Sequence, residues 1–99
     1  MLTHVIKRDG TIVFCDGQKI AVAVQKAARA AGEAVEVETI TTAVLNEAGT
    51  GGRSTITVEE IQDLVEKNLM HAGYSETAKA YILYREERRK VRGGQALID

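Results

Sequence analysis

A β-hairpin signal at the start of this chain constrains its fold more than any other feature. Residues 3–7 and 11–15 are rich in Val, Ile and Thr, and Asp9-Gly10 between them is a strong two-residue turn signal. A lone two-stranded hairpin is only marginally stable in water. We therefore expect this hairpin to lie across the helices that the rest of the sequence predicts.

Four helical segments follow the hairpin. Asp16 is a suitable N-cap for the first, and Thr57 with Glu60 forms a capping-box pattern at the start of the third. Apolar residues recur at helical spacing in each segment, and glycines stand where segments end. The predicted helices cover residues 18–31, 37–48, a stretch from the cap at Thr57 to near Gly73, and a stretch from after Ser75 to residue 92.

These elements predict an α+β, mainly α fold in which an N-terminal β-hairpin caps a four-helix bundle. The 99 residues suffice for one domain with a single modest core. We expect that domain to cover residues 1–92. The glycine pair at 93–94 should break the last helix and leave a linker stub over residues 93–99.

The composition argues against several classes of protein. It is 44% hydrophobic and 27% charged, which is typical of a soluble globular domain. No apolar run approaches the length of a membrane helix and no cationic-then-apolar leader is present, so we expect neither a membrane span nor a signal peptide. A single cysteine, Cys15, cannot form an internal disulfide, which favours a reducing, cytoplasmic setting.

Charge is unevenly spread, although the formal net charge is only -1. Residues 1–32 carry five Lys or Arg against two Asp, residues 33–66 carry one Arg against eight acids, and residues 67–99 carry seven Lys or Arg against four acids. The acidic middle would repel a nucleic-acid backbone, so we expect no nucleic-acid partner. Two basic ends that converged in space would form a local anion pocket, which is a hypothesis at this point.

Three cations near the hairpin suit a polyphosphate. Lys7 and Arg8 stand at the lip of the Asp9-Gly10 turn, and Lys19 falls in the first turn of the first helix. A cation there opposes the helix dipole, and a bound anion would remove that penalty. A guanidinium can also hold two phosphate oxygens at once. Taken alone, however, a pair of charges at a turn is more often simply solvated.

The basic run over residues 85–92 allows three interpretations: a solvated helical face, a nucleic-acid contact, or the far wall of an anion pocket. Two glutamates inside the run argue against a nucleic-acid contact, and a solvated face is the default for most of it. Arg85 differs because it lies on the same face of the predicted helix as Ala78, Tyr81 and Ile82, which we predict to be core residues. We expect Arg85 to point inward.

The sequence contains no assembled active site. The glycine-rich stretch 49–55 lacks the lysine and the glycine spacing of a P-loop, so we interpret it as a flexible connection with Arg53 as a weak phosphate candidate. His4 and His71 have no partner at metal-ligand spacing. Cys15 has no second cysteine, and its strand setting favours an inert apolar role.

Two sequence signatures occur in a set order. The first is Val5-Ile6-Lys7-Arg8-Asp9-Gly10 followed by Lys19-Ile20, and the second is Ala80-Tyr81-Ile82-Leu83-Tyr84-Arg85. Together they resemble the ATP-cone, the small regulatory nucleotide-binding domain at the N-terminus of ribonucleotide reductase large subunits, including the anaerobic ribonucleoside-triphosphate reductases. The resemblance covers about residues 3–92.

This resemblance implies a site for ATP or dATP, with Mg²⁺, and no tightly bound cofactor. The phosphates would be held by Lys7 and Arg8, with help from Lys19 and a basic residue of the last helix, Arg85. The adenine site would be lined by Val5, Val13, Cys15, Asp16 and Ile20, with Asp16 accepting from the base edge. Thr57 and Gln62 would lie near the ribose or the phosphates. Cys15 stands where the family usually has a larger apolar residue, often Phe, which implies a roomier base pocket.

In the family, ATP on the cone permits reduction and dATP stops it, usually by changing how subunits assemble. The resemblance therefore implies an allosteric regulatory domain that is not itself an enzyme. Its implied partners are adenine nucleotides, the catalytic domain of a parent reductase and, with dATP, further copies of itself. The class of the parent reductase stays open.

Two alternatives also stay open. One is a helical protein–protein docking module that binds no nucleotide, for which the bundle alone would suffice. The other is the cone of a transcriptional repressor of reductase genes, which carries a zinc ribbon ahead of the cone. A ribbon needs four metal ligands, whereas this sequence has four residues before Val5.

Overall fold

Four helices and a small β-sheet make up the part of the chain that the computed structural model describes, which is residues 2–93, with side chains for residues 2–90. A short 3₁₀ turn at Thr50–Gly52 connects the second helix to the last strand. The elements in chain order are β1 (His4–Ile6), β2 (Ile12–Phe14), α1 (Gly17–Ala31), α2 (Val37–Ala48), β3 (Thr55–Thr57), α3 (Val58–His71) and α4 (Ser75–Gly93).

The four helices form a bundle in which each helix packs against two others. Helix α1 contacts α2 and α4, and α3 also contacts α2 and α4. Each helix contributes buried apolar side chains to one core, including Val24 from α1, Val44 from α2, Leu69 from α3 and Ala78 from α4. This confirms the predicted α+β, mainly α fold with a four-helix bundle.

Side-chain caps fix the ends of the helices that position the site. The Gln18 backbone N–H donates to Asp16 Oδ1 at 2.9 Å, and α1 ends at Gly32, whose φ of 67° favours glycine. At α3 the Glu60 N–H donates to Thr57 Oγ1 at 3.1 Å, while the Thr57 N–H donates to Glu60 Oε1 at 3.2 Å. The predicted cap of α1 and the predicted capping box of α3 are both confirmed.

The sheet has three strands rather than the two of the predicted hairpin. β1 pairs antiparallel with β2 on one side and parallel with β3 on the other, giving the order β2-β1-β3. The prediction of a flexible connection over residues 49–55 was therefore wrong at its end, since Thr55 begins β3. A three-residue strand that pairs in parallel with a segment about fifty residues earlier leaves no local pattern in the sequence.

The hairpin turn is also one residue longer than predicted. The Lys7 N–H donates to the Thr11 carbonyl at 2.8 Å and the Gly10 N–H donates to the Lys7 carbonyl at 2.9 Å, so residues 8–10 form a three-residue loop. Gly10 has a φ of 88°, which is the left-handed position that such a loop requires. Hydrogen bonds from Thr11, reinforced by the charge of Lys7, hold the pKa of Asp9 below its usual range.

One face of the sheet covers the helices and the other faces away from them. Val5 lies in register with Val13 on β2 and Ile56 on β3, and both Val5 and Ile56 are buried. On the other face the rings of His4 and Phe14 stack with centroids 4.7 Å apart, and Phe14 is 79% exposed. The strand alternation thus places a row of three branched side chains above the bundle.

Helix α4 departs from the prediction in one place. Ala78 and Tyr81 are buried as expected, but Ile82 is 41% exposed and so was wrongly assigned to the core. The helix runs to Gly93, and residues 94–99 lie outside the described part of the chain, so the linker stub stays a prediction. Over the described residues, the structure contains no helix with both the length and the apolar character needed to cross a membrane.

Candidate functional site

A cavity of about 240 Å³ opens between the inner face of the sheet and the helices α1, α3 and α4. This volume lies just below the range of about 300–1,000 Å³ that is usual for small-molecule pockets, so an occupant of nucleotide size would extend past the rim. The apolar part of its wall includes Val5 and Val13 from the sheet, Ile20 and Ala23 from α1, Ile61 from α3 and Tyr81 from α4.

Positive charge gathers around this cavity. Lys7, Arg8, Lys19 and Arg88 line it, against the single carboxylate of Asp16. Among the described side chains, residues 2–90, Lys7, Lys19 and Arg88 form neither an ion pair nor a side-chain hydrogen bond. The two basic ends of the chain therefore do converge, as hypothesised, and the charges of these three cations have no ion-pair partner among the described side chains. Such a site attracts anions.

Arg88 is the basic residue of α4 at the cavity, and it was not among the predicted site residues. Tyr81, Tyr84 and Arg88 line the cavity together. Their spacing of three and four residues puts them on one face of a helix, because seven residues make nearly two turns. That spacing was visible in the sequence, so counting forward from Tyr81 could have identified Arg88.

Nine of the eleven predicted site residues line the cavity, and two do not. Those at the cavity are Val5, Lys7, Arg8, Val13, Cys15, Asp16, Lys19, Ile20 and Gln62. Thr57 is not among the lining residues, and its hydroxyl is engaged in the capping box, where it accepts from the Glu60 N–H and also contacts Glu60 Oε1 at 3.1 Å. Arg85 is likewise absent from the cavity wall.

Arg85 lies instead in an acidic cluster between α3 and α4. Its Nη1 donates to Asp63 Oδ1 at 2.8 Å and to Glu66 Oε2 at 2.6 Å, and its Nη2 donates to Glu59 Oε1 at 2.8 Å. The side chain is only 16% exposed. Although burial alone lowers it, the hydrogen bonds with Glu59, Glu66 and Asp63 raise the pKa of Arg85 above its usual value. The prediction that Arg85 points inward is confirmed, but its charge is already compensated.

Arg8 is also held by α3, through a residue that the sequence analysis did not single out. Its Nε donates to Glu59 Oε2 at 2.6 Å and its Nη2 donates to Gln62 Oε1 at 3.1 Å. Hydrogen bonds from Arg85 and Arg8 keep the pKa of Glu59 below its usual value of 4.5. Since Arg8 and Glu59 are 51 positions apart, no sequence pattern could have paired them.

Cys15 and Asp16 form the wall between β2 and α1. Burial, with a smaller effect of the Asp16 charge, raises the pKa of the Cys15 thiol above its usual value of 9.0. A neutral thiol is a small apolar surface and a poor nucleophile, which agrees with the inert role predicted for Cys15. One oxygen of Asp16 caps α1, and the carboxylate retains further acceptor capacity toward the cavity.

The described residues contain no group of three or more His, Cys, Asp or Glu side chains that could hold a metal ion. The fold and the cavity together define a class of protein: a helical domain with a small sheet over an apolar cavity that is rimmed by cations. The cavity of such a domain is suited to an anion that also has an apolar part.

Comparison with known proteins identifies the family. The family model described as "ATP cone domain" matches residues 3–90, which is most of the chain. The chain therefore belongs to the ATP-cone family, as the two signatures indicated.

Curated relatives of this chain are ribonucleotide reductases. It is 38% identical over 101 aligned positions to the ribonucleoside-diphosphate reductase subunit alpha of Chlamydia pneumoniae, covering 92% of this chain and 10% of that protein. It is 41% identical over 94 positions to the vitamin B12-dependent ribonucleoside-diphosphate reductase of Mycobacterium tuberculosis (93% and 13%). It is 39% identical over 88 positions to the anaerobic ribonucleoside-triphosphate reductase of Salmonella typhimurium (89% and 12%). The chain thus spans about a tenth of the length of these relatives.

Proposed function

We propose that this chain is the adenine-nucleotide sensor of a ribonucleotide reductase. ATP or dATP binds in the cavity beneath the sheet and sets the overall activity of the parent enzyme. The observation that carries this proposal is the set of cations around one apolar cavity, three of which have no ion-pair partner among the described side chains. The reductase relatives support the choice of parent enzyme.

The cations are the groups that would hold the triphosphate. Lys7 and Arg8 approach from the hairpin, Lys19 from the first turn of α1, and Arg88 from α4. Because they come from three separate elements, they can contact different phosphate oxygens of one ligand. The backbone N–H groups at the start of α1 add a favourable dipole for an anion. Arg85 and Thr57 have no part in this arrangement, since both are engaged elsewhere.

The apolar wall is the place for the base. Val5, Val13, Cys15 and Ile20 offer aliphatic and thiol surface of the kind that packs against a purine ring. Asp16 at the same wall supplies a carboxylate acceptor. If position 6 of the purine faces Asp16, the amino group of adenine donates to the carboxylate, whereas the carbonyl of guanine at that position is repelled. That seating of the base favours ATP and dATP over GTP.

The regulatory role requires nothing catalytic from this chain. The nucleotide is an effector that arrives with its own Mg²⁺, and the reduction takes place in the catalytic domain of the parent protein. ATP and dATP differ by one hydroxyl, so the response must come from how each is seated and which surface it stabilises. We infer that the parent catalytic domain and, with dATP, further copies of the chain are the partners that read that difference.

The decisive experiment is calorimetric titration of the 99-residue chain with ATP, dATP and GTP, with light scattering to follow size. Saturable binding of ATP and dATP, with GTP bound at least tenfold more weakly, is the expected result. A size increase with dATP alone would support the inhibitory assembly. A chain that binds no nucleotide would remove the proposal, and a docking module would be the better account, with Phe14, at 79% the most exposed large apolar side chain of the described residues, as its anchor.

Two neighbouring arginines on α4 provide a matched control. Arg88 lines the cavity, whereas Arg89 pairs with Glu86 at 2.7 Å and does not. Arg88→Ala should weaken ATP binding roughly tenfold or more, because a hydrogen bond to a charged group contributes about 1.5–3 kcal/mol. Arg89→Ala should change it by less than about twofold, since exposed i,i+3 pairs contribute little. Equal effects of the two variants would show that α4 provides only general positive charge.

A further inference from the structure

Glu59 connects the cavity to the surface between α3 and α4. It lies in the first turn of α3 and uses both carboxylate oxygens. Oε2 accepts from Arg8 Nε at 2.6 Å, and Oε1 accepts from Arg85 Nη2 at 2.8 Å. Arg8 lines the cavity and Arg85 does not, so this one carboxylate joins a residue of the candidate site to a residue outside it.

The two arginines depend on Glu59 to different extents. Arg8 has Glu59 as its one carboxylate partner among the described side chains, together with the neutral oxygen of Gln62. Arg85 has two further carboxylates, Asp63 and Glu66. In the absence of a ligand, the charge of Arg8 is therefore balanced by one carboxylate among the described side chains, that of Glu59, whose side chain is 46% exposed.

A polyphosphate that binds Arg8 shares one guanidinium with this carboxylate. The Nε–H and one N–H of Nη2 already donate to Glu59 and Gln62, whereas Nη1 and the second N–H of Nη2 remain for a phosphate, which would bring negative charge next to Glu59. Like charges at short range repel, so Glu59 is driven toward its remaining partner, Arg85. Arg85 is then surrounded more closely by three carboxylates.

We propose that Glu59 is an internal counter-ion that a bound polyphosphate displaces from Arg8, so that occupancy of the cavity changes the ion pairs of Arg85 on α4. This inference rests on the proposed function, because it assumes that a polyphosphate binds at the cavity. It adds a named residue that opposes binding and a route from the cavity to the ion pairs between α3 and α4. Glu59 Oε1 already accepts from Arg85 Nη2 at 2.8 Å, so the carboxylate keeps a partner when it leaves Arg8.

The test compares Glu59→Gln with Asp63→Asn in titrations with inorganic tripolyphosphate and with ATP. Each variant removes one negative charge from α3 and one partner from Arg85, but only Glu59 also contacts Arg8. Glu59→Gln should bind tripolyphosphate about two- to fivefold more tightly than the wild type, which is the usual range for a partly exposed ion pair. Asp63→Asn should stay within about 1.5-fold of the wild type.

The effect of ligand binding on Arg85 of α4 is measured separately. Arginine Nε–H signals in NMR spectra, assigned with Arg8→Lys and Arg85→Lys, should both shift when tripolyphosphate is added to the wild type. In Glu59→Gln only the Arg8 signal should shift.

The outcomes separate the two proposals. Wild-type binding with unchanged or weaker binding by Glu59→Gln would overturn the counter-ion and make Glu59 a residue that positions Arg8. An Arg85 signal that ignores ligand in the wild type would overturn the route to α4. If the wild type binds neither tripolyphosphate nor ATP, the proposed function fails, and this inference fails with it.

Discussion

Lys19 provides a prediction in which stability and binding change in opposite directions. It is the third residue of α1, where the helix presents its positive end, and α1 has no acidic residue in its first turn. Its side chain is exposed and forms no ion pair among the described residues. A cation at this end of a helix is unfavourable by about 0.3–1 kcal/mol. The nearby Asp16 carboxylate offsets part of this, so we expect about 0.5 kcal/mol.

Lys19→Ala should therefore raise the free energy of unfolding of the unliganded chain. Alanine is itself a slightly better helix former than lysine, and Lys26→Ala controls for this because Lys26 is an exposed lysine later in the same helix. Urea unfolding followed by circular dichroism should place Lys19→Ala above Lys26→Ala in stability by about 0.5 kcal/mol at low salt. The difference should shrink in 1 M salt, where charges are screened within about 3 Å.

The same substitution should weaken ATP binding, because Lys19 lines the cavity and Lys26 does not. We expect a loss of ATP affinity of about tenfold, which corresponds to the lower end of the free energy usual for a hydrogen bond to a charged group. A Lys19→Ala chain that is less stable than Lys26→Ala would refute the dipole argument. One that binds ATP like the wild type would remove Lys19 from the site.

Other perturbations test the core, the cap and the response to acid. Leu69→Ala, at a fully buried position, should lower the free energy of unfolding by about 2–5 kcal/mol in urea titrations, while Met70→Ala, at a position 57% exposed, should change it by less than about 0.5 kcal/mol. Thr57→Ala should lower the free energy of unfolding by about 0.5–2 kcal/mol because it removes the cap of α3, and Thr57→Ser should restore it. The ATP affinity of Thr57→Ala should stay within about twofold of the wild type. A tenfold loss of affinity would return Thr57 to the site. Hydrogen bonds from Thr57 and then Arg53 hold the pKa of Glu60 below 4.5, so the stabilisation from Glu60 is fully present above pH 4.5 and lost as the pH falls through the lowered value. Glu60→Gln should flatten this part of the stability profile measured between pH 7 and pH 3.

The sequence was a reliable guide where structure is determined locally. The caps at Asp16 and Thr57, and the left-handed stop at Gly32, each depend on residues within four positions of one another. The hydrophobic spacing then assigned four helices, and α2 was predicted with the bounds that the structure gives. What could not be read locally was β3, which exists only because it pairs in parallel with β1.

The candidate site, too, was predicted where its residues form a local motif and was missed where they are distant in sequence. The hairpin motif brought Lys7 and Arg8 to attention, and both line the cavity. Arg85, the basic residue of α4 that the resemblance implied, does not line the cavity, whereas Arg88 does and has the helical spacing that fits. Glu59 could not have been predicted at all, because its ion pairs depend on two arginines that approach it from other elements.

Two of the charged groups around the cavity, Lys19 and Arg8, change their electrostatic surroundings when an anion binds there. Lys19 opposes a helix dipole, and Arg8 is balanced by a carboxylate that a ligand can displace. The Lys19 feature makes the unliganded state less favourable, whereas the Arg8–Glu59 ion pair favours it and so opposes binding, each by about 1 kcal/mol or less. A ligand at a hundred times its dissociation constant stabilises the folded chain by about 2.7 kcal/mol, which exceeds either effect. A ligand changes the ion pairs of Glu59 only if it binds more tightly when Glu59 is separated from Arg8 than when the two are paired. A phosphate meets this condition because it and Glu59 compete for Arg8.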